Sequence, residues 1–169
     1  MTIAELLLPE WDIEITTTRT VLERVPDGRG EWKPHEKSFP MAHLAQLVSM
    51  MPAWVAAVTE LTEFDIAPKD GPQAAGYAIQ KTEKLLSDFD TNAAEGRAAI
   101  ARTTDEAFQV LWTMKAGGVT QMVVSRHLAL RTSVINHLVH HRAQLGLYLR
   151  MVDGKVPSIY GPTADTRQG

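Results

Sequence analysis

The sequence predicts an all-α fold, an antiparallel four-helix bundle with a long crossover before the last helix, from three observations. Four long segments carry apolar residues at three- and four-residue steps. Pro, Gly and charged residues cluster between those segments. The length of 169 residues, 44% hydrophobic and 22% charged, suits one domain spanning residues 1–169. A stripe of that kind must be buried against a neighbour, and four of them can bury one another.

Thr2 and Glu5 have capping-box spacing and Pro9 suits a first turn, so the chain is expected to enter its first helix between Thr2 and Pro9. Trp11, Ile15 and Leu22 mark one face, weakened locally by the β-branched Thr16, Thr17 and Thr18, until Pro26, Asp27 and Gly28 end it. DGRGEWKPHEKSF reads as a loop, with Trp32 folded back onto the domain and His35 in solvent. Ser38 and Pro40 open a second helix, MAHLAQLVSMMPAWVAAVTEL, with the stripe His43, Leu47, Met50, Trp54 and Val58. Pro52 should kink it near Val48 to Met51, and Met50 and Met51 read as core filler.

Residues 62–76, with two Pro and two Gly, read as a connection. A third helix is expected over Tyr77 to Ala101, with Leu85, Leu86, Phe89, Ala93, Gly96 and Ile100 facing inward and its small residues allowing close approach. Lys81, Glu83, Lys84 and Asp88 form its solvated face. Thr104 to Glu106 start a short turn, and in Val110 to Val124 the Gly117–Gly118 pair splits a β-branched run, as an irregular crossover or a short hairpin would. The last helix, Ser125 to Val152, has Ser125 as N-cap and Gly154 where it stops; its stripe is Leu130, Val134, Leu145, Tyr148 and Val152. Beyond it runs an extended tail in which Tyr160 packs back.

His137 and His141 fall on that last stripe. Imidazoles four residues apart on one helix face project side by side, a spacing able to hold a divalent ion through neutral ring nitrogens. The same pattern also fits core histidines bonded to a carbonyl or carboxylate, and a third donor elsewhere decides between the two. His43 lies on the stripe of the second helix in the same manner. His140 sits about 100° round the helix, on a polar strip with Ser133, Asn136 and Leu147, and His127 lies about three turns before His137, too far to share its ion. Asn136, Arg142, Gln144, Tyr148 and Arg150 are candidates to orient a ligand, though a helix also needs polar residues on its outer face. Gln144, one turn from His141, stands out among them. No Asp or Glu lies in an apolar stretch of the last helix to serve as general base.

A net charge of −3 offers no basic field for phosphate backbones, so nucleic acid is not expected as a partner. Cysteine is absent, which excludes disulfides, thiolate ligands and a Cys nucleophile. MTIAELLLPEWD has no basic region before an apolar run, and no segment is expected to supply the roughly 20 apolar residues of a membrane span. A cytoplasmic location follows as an expectation.

Three stretches, WKPHEKSFPMAHLAQLV, NHLVHHRAQLGLYLR and VPSIYGPTAD, make the chain resemble the DinB-like, or YfiT-like, metalloenzyme family over essentially its whole length. HHRAQL is the most specific of these, with Ala143 where many members have Gly. The resemblance implies a four-helix bundle, often a homodimer, with zinc or nickel held by His43, His137 and His141. It also implies small-molecule chemistry, a thiol-dependent transfer or isomerisation with a low-molecular-weight thiol. Three neutral nitrogens leave open positions at which an ion activates water or such a thiol. A metal-binding, stress-related or interaction protein without turnover is the alternative.

Overall fold

The computed structural model describes residues 1–69 and 76–166; the rest of the expected connection and the end of the tail lie outside the described residues. Helix α1, Ile3–Leu22, starts at Thr2, whose hydroxyl accepts from the Glu5 amide while the Glu5 carboxylate takes the Thr2 amide. Pro9 lies inside it rather than at its start. Helix α2, Met41–Met50, continues through a tighter turn at Met51–Ala53 into α3, Trp54–Glu60, so Pro52 produces the expected break without ending the run. Over Met41–Glu60 the chain is apolar and long enough to cross a membrane, which corrects the sequence expectation; 56% of its most apolar window is buried inside the fold. Its stripe is displaced in the first half, while Val58 at its end is buried as expected. Met41, Leu44, Ala45 and Val48 are buried, whereas His43 and Leu47 are half-buried and Met50 is exposed.

Helix α4, Thr82–Arg102, begins later than its periodicity predicts. Asp27 Oδ1 accepts from both the amide and the hydroxyl of Thr82, so the start is set by a residue 55 positions away. The small residues act as expected. Gly96 has no room for a Cβ, which would stand 2.8 Å from both the Pro52 carbonyl oxygen and Cζ2 of Trp11.

The fold is mostly helical but not all-α, because the two links carry a small sheet. After α5, Asp105–Gln109, strands β2, Leu111–Ala116, and β3, Val119–Ser125, form an antiparallel hairpin closed by Gly117 and Gly118 at φ of 61° and 81°. Strand β1, Glu63–Asp65, adds to β2 in parallel, from a segment read as mere connection. Asp65 ties the two together, accepting from the amides of Ala67, Gly117 and Gly118 at 2.9, 3.0 and 2.7 Å, which hold its carboxyl below the usual range.

Ser125 then caps α6, Arg126–Ala129, which runs without a break through a wide π-helical turn, Leu130–Ile135, into α7, Asn136–Met151. In that turn the Asn136 amide bonds to the Arg131 carbonyl, five residues back. The rod ends with Asp153 at φ 62° and the Asp153 and Gly154 amides bonded to the carbonyls of Arg150 and Leu149. The left-handed residue is therefore Asp153, one before the expected glycine.

Helix α1 packs on α4 and α7, and α2 packs on the same two helices. Two buried clusters result. One joins Leu22, Met41, Leu44, Phe89, Leu138, Leu145 and Leu149; the other joins Trp11, Val55, Ile100, Phe108, Trp112 and Leu130 on the side of the sheet. The α2 and α7 faces that carry histidines meet at the edge of the first cluster.

Candidate metal centre

His137 and His141 come together as their spacing predicts, with Nε2 facing Nε2 at 2.9 Å. The His141 ring is anchored by its other side. His141 Nδ1 lies 2.8 Å from Gln144 Oε1, a carbonyl oxygen that can only accept, so the proton is on Nδ1 and Nε2 is bare. His141 Nε2, left bare, accepts from His137 Nε2–H across that 2.9 Å. Tetrahedral imidazole ligands with bonds of about 2.0–2.1 Å stand about 3.3 Å apart, so an ion between the two rings would take the place of the proton they share. A few tenths of an ångström of ring movement provides that separation. The two histidines would hold an ion through these nitrogens alone, with no third donor among the described residues.

Electrostatics point the same way. His141 is 8% exposed and His137 half-buried. Burial is the first cause that pushes both imidazoles below their ordinary value, with neighbouring histidines adding to it, so near neutral pH both rings are uncharged and free to ligate.

His43 is close but differently engaged. Its ring is held between Phe39, at 4.2 Å between centroids, and Tyr77, at 4.9 Å and nearly parallel. Phe39 is also 6.5 Å from His141, and His43 is near enough to oppose protonation of that ring. Among the described residues no three His, Cys, Asp or Glu side chains are close enough to hold one ion. Trp54 closes the other side, 5.6 Å from His137. Surface cavities of about 330 and 420 Å³ lie along residues 27–32 and 80–87, and no histidine lines either.

His140 is exposed, as its strip predicts, and its Nε2 sits 3.1 Å from Gln144 Nε2. His127 is on the far side of the wide turn from the pair. Arg142, grouped from sequence with outer-face candidates, is 2% exposed and bound to Glu14, Thr17 and Thr18 of α1 and to the Tyr160 hydroxyl. Glu14 escaped the sequence reading, although Trp11, Glu14 and Thr18 share one helical stripe. Phe39 and Tyr77 escaped it because no periodicity marks an aromatic residue in a loop.

No family model matches the chain, and neither does any curated protein. Solved structures match in fold, and two of them are DinB-like proteins. One is a DinB-like protein from Bacillus cereus, 15% identical, with a TM-score of 0.69 over 90% of this chain and 95% of that one. The other is a DinB-like protein from Bacillus subtilis, 16% identical, with a TM-score of 0.65 over 91% and 96%.

Proposed function

From the premise that this chain has the fold of the DinB-like proteins, we propose that it is a metal-dependent enzyme of small molecules, a hydrolase or a thiol-dependent transferase or isomerase. One observation carries the reading, the Nε2 atoms of His137 and His141 facing each other at 2.9 Å. His137 and His141 hold a divalent ion, zinc or nickel, and His43 completes the set when its ring leaves the Phe39–Tyr77 stack. Such an ion, when bound, lowers the pKa of a coordinated water or thiol. The chain's own residues do the rest. Gln144 bonds the His141 ring, Trp54 and Phe39 shield the pair, and the absence of Cys means that any thiol is a separate low-molecular-weight cofactor. The packed helices are read as a four-helix bundle, and the protein as a cytoplasmic homodimer that binds neither nucleic acid nor membrane.

The aromatic clamp on His43 favours one second reading, a metal-binding, stress-related or interaction protein without turnover. Metal analysis of purified protein, followed by turnover assays of electrophiles with a panel of small thiols, separates them. Near-stoichiometric zinc or nickel with thiol-dependent turnover supports the enzyme, and metal without turnover supports the binder. Less than a tenth of an equivalent, unchanged by reconstitution, rejects both.

A further inference from the structure

We infer that residues 76–81 form a strap over His43 that opens as one unit, with the Tyr77 ring as its cover and the Gln46 side chain as its latch. The inference deepens the reading of the histidines as the functional site, and rests on it only for what the opening serves.

The strap has no helix or strand, and every residue in it is exposed except the half-buried Gln80. Its two ends are held unequally. At the far end the amide and hydroxyl of Thr82 both donate to Asp27 Oδ1, and the hydroxyl also lies 2.6 Å from the Val25 carbonyl oxygen. Ile79 rests over Gly30, where a Cβ would stand 3.0 Å from Ile79 Cγ2. A surface hollow of about 330 Å³ opens beside it, so Ile79 is packed on one side only and stays 53% exposed.

The near end is held by two contacts. The Tyr77 ring lies parallel to His43, 4.9 Å away with 11° between the planes, and the Ala78 amide donates to Gln46 Oε1 at 2.9 Å. His43 and Gln46 stand three residues apart on α2, so one helix face offers a ring and an amide to two consecutive residues of the strap. Each contact alone is weak, because both are reached by water and a hydrogen bond there only replaces one to solvent. Together they share the cost of ordering the same few residues, so loss of one leaves the other to bear all of it. That coupling makes the segment a single opening unit hinged at Ile79 and Thr82. Opening uncovers the face of His43 that Tyr77 hides and leaves the ring against Phe39 alone. The closed strap is thus what holds His43 away from His137 and His141.

The test breaks each contact and reads the other. Gln46→Leu is read at His43, by its rate of acylation with diethyl pyrocarbonate followed by mass spectrometry. Tyr77→Ser is read at Ala78, by amide hydrogen exchange in NMR. Both rates should rise by about fivefold or more, the change that loss of one net hydrogen bond brings, while the amides of α2 and α4 exchange as in wild type. Ala78→Pro removes the donor from an exposed position and should raise His43 acylation by the same factor, so the result does not depend on Gln46→Leu alone. Rates within twofold of wild type mean that the two contacts are independent and overturn the inference, as does a rise shared equally by α2 and α4. Neither readout uses a metal. Metal analysis that rejects the centre therefore leaves the coupling as measured, and uncoupled contacts leave the centre to its own test.

Discussion

Arg142 of α7 donates from Nη1 to Glu14 Oε2 of α1 at 2.6 Å, and both side chains are almost wholly removed from solvent. The guanidinium also reaches Thr17, at 2.7 Å, and the Tyr160 hydroxyl, at 2.6 Å; that hydroxyl in turn donates to Glu14. A charge buried in this way is tolerable only with its partner present. Glu14→Ala is expected to cost about 3–5 kcal/mol, because it strands the guanidinium, whereas Tyr160→Phe removes one neutral donor and should cost about 1 kcal/mol. Urea denaturation of the two variants checks the ranking; equal losses would mean that the tail and the ion pair act as one unit.

Gly96 gives a second test. Alanine there would place its Cβ against the Pro52 carbonyl and the Trp11 ring, neither of which can yield cheaply. Gly96→Ala should destabilise the protein by about 1–3 kcal/mol despite the better helix propensity of alanine, seen as a melting temperature lower by roughly 2–10 °C. A variant as stable as wild type would show that α1 and α4 have slack where they cross.

The histidines predict a pH dependence with a definite sign. Imidazoles titrate near about 6.5 in the unfolded chain, while burial holds His137 and His141 lower in the fold. Between the two values the unfolded chain binds more protons, so stability rises with pH and is lost on acidification below about 6.5. Asp12, Asp27 and Asp65, whose carboxyls are held low by an Arg97 hydrogen bond or by backbone amides, act only below about pH 4 and do not obscure that window. Metal-free protein should therefore have a lower urea midpoint at pH 5.5 than at pH 7.5, and the difference should shrink in His137→Gln/His141→Gln. A flat wild-type profile would count against burial of the rings.

Single alanine substitutions sort the histidines. His137→Ala and His141→Ala should each abolish Zn(II) binding, His43→Ala should weaken it, and His140→Ala should leave it within about tenfold of wild type. Equilibrium dialysis measures all four, and loss confined to His140→Ala would mean that the wrong pair is assigned.

What the sequence revealed follows from what is local. The 3.6-residue period placed Leu130, Val134, Leu145 and Tyr148 in the core, and the four-residue step brought His137 to His141, because both depend on one helix alone. Strand β1 was not legible, since its partner, β2, lies about 50 residues on and three residues are too few for a pattern. The first half of the second helix was read one position out of phase: His43 and Leu47 mark a half-buried edge rather than the core and Met50 faces outward, whereas Val58, past the break, is buried as expected. Glu14 was invisible for the same reason as β1, since only Arg142 and Tyr160, far along the chain, give an acid there something to bind.

The wide turn at Leu130–Ile135 divides the last rod into two parts whose angular settings are independent. An α-helix advances about 100° per residue, so one residue removed from that turn would leave the histidine-bearing length seated and swing the hairpin-bearing end by roughly that angle. The extra residue therefore acts as a phase shifter, aligning a sheet and a pair of ligands that share a single rod but answer to different neighbours.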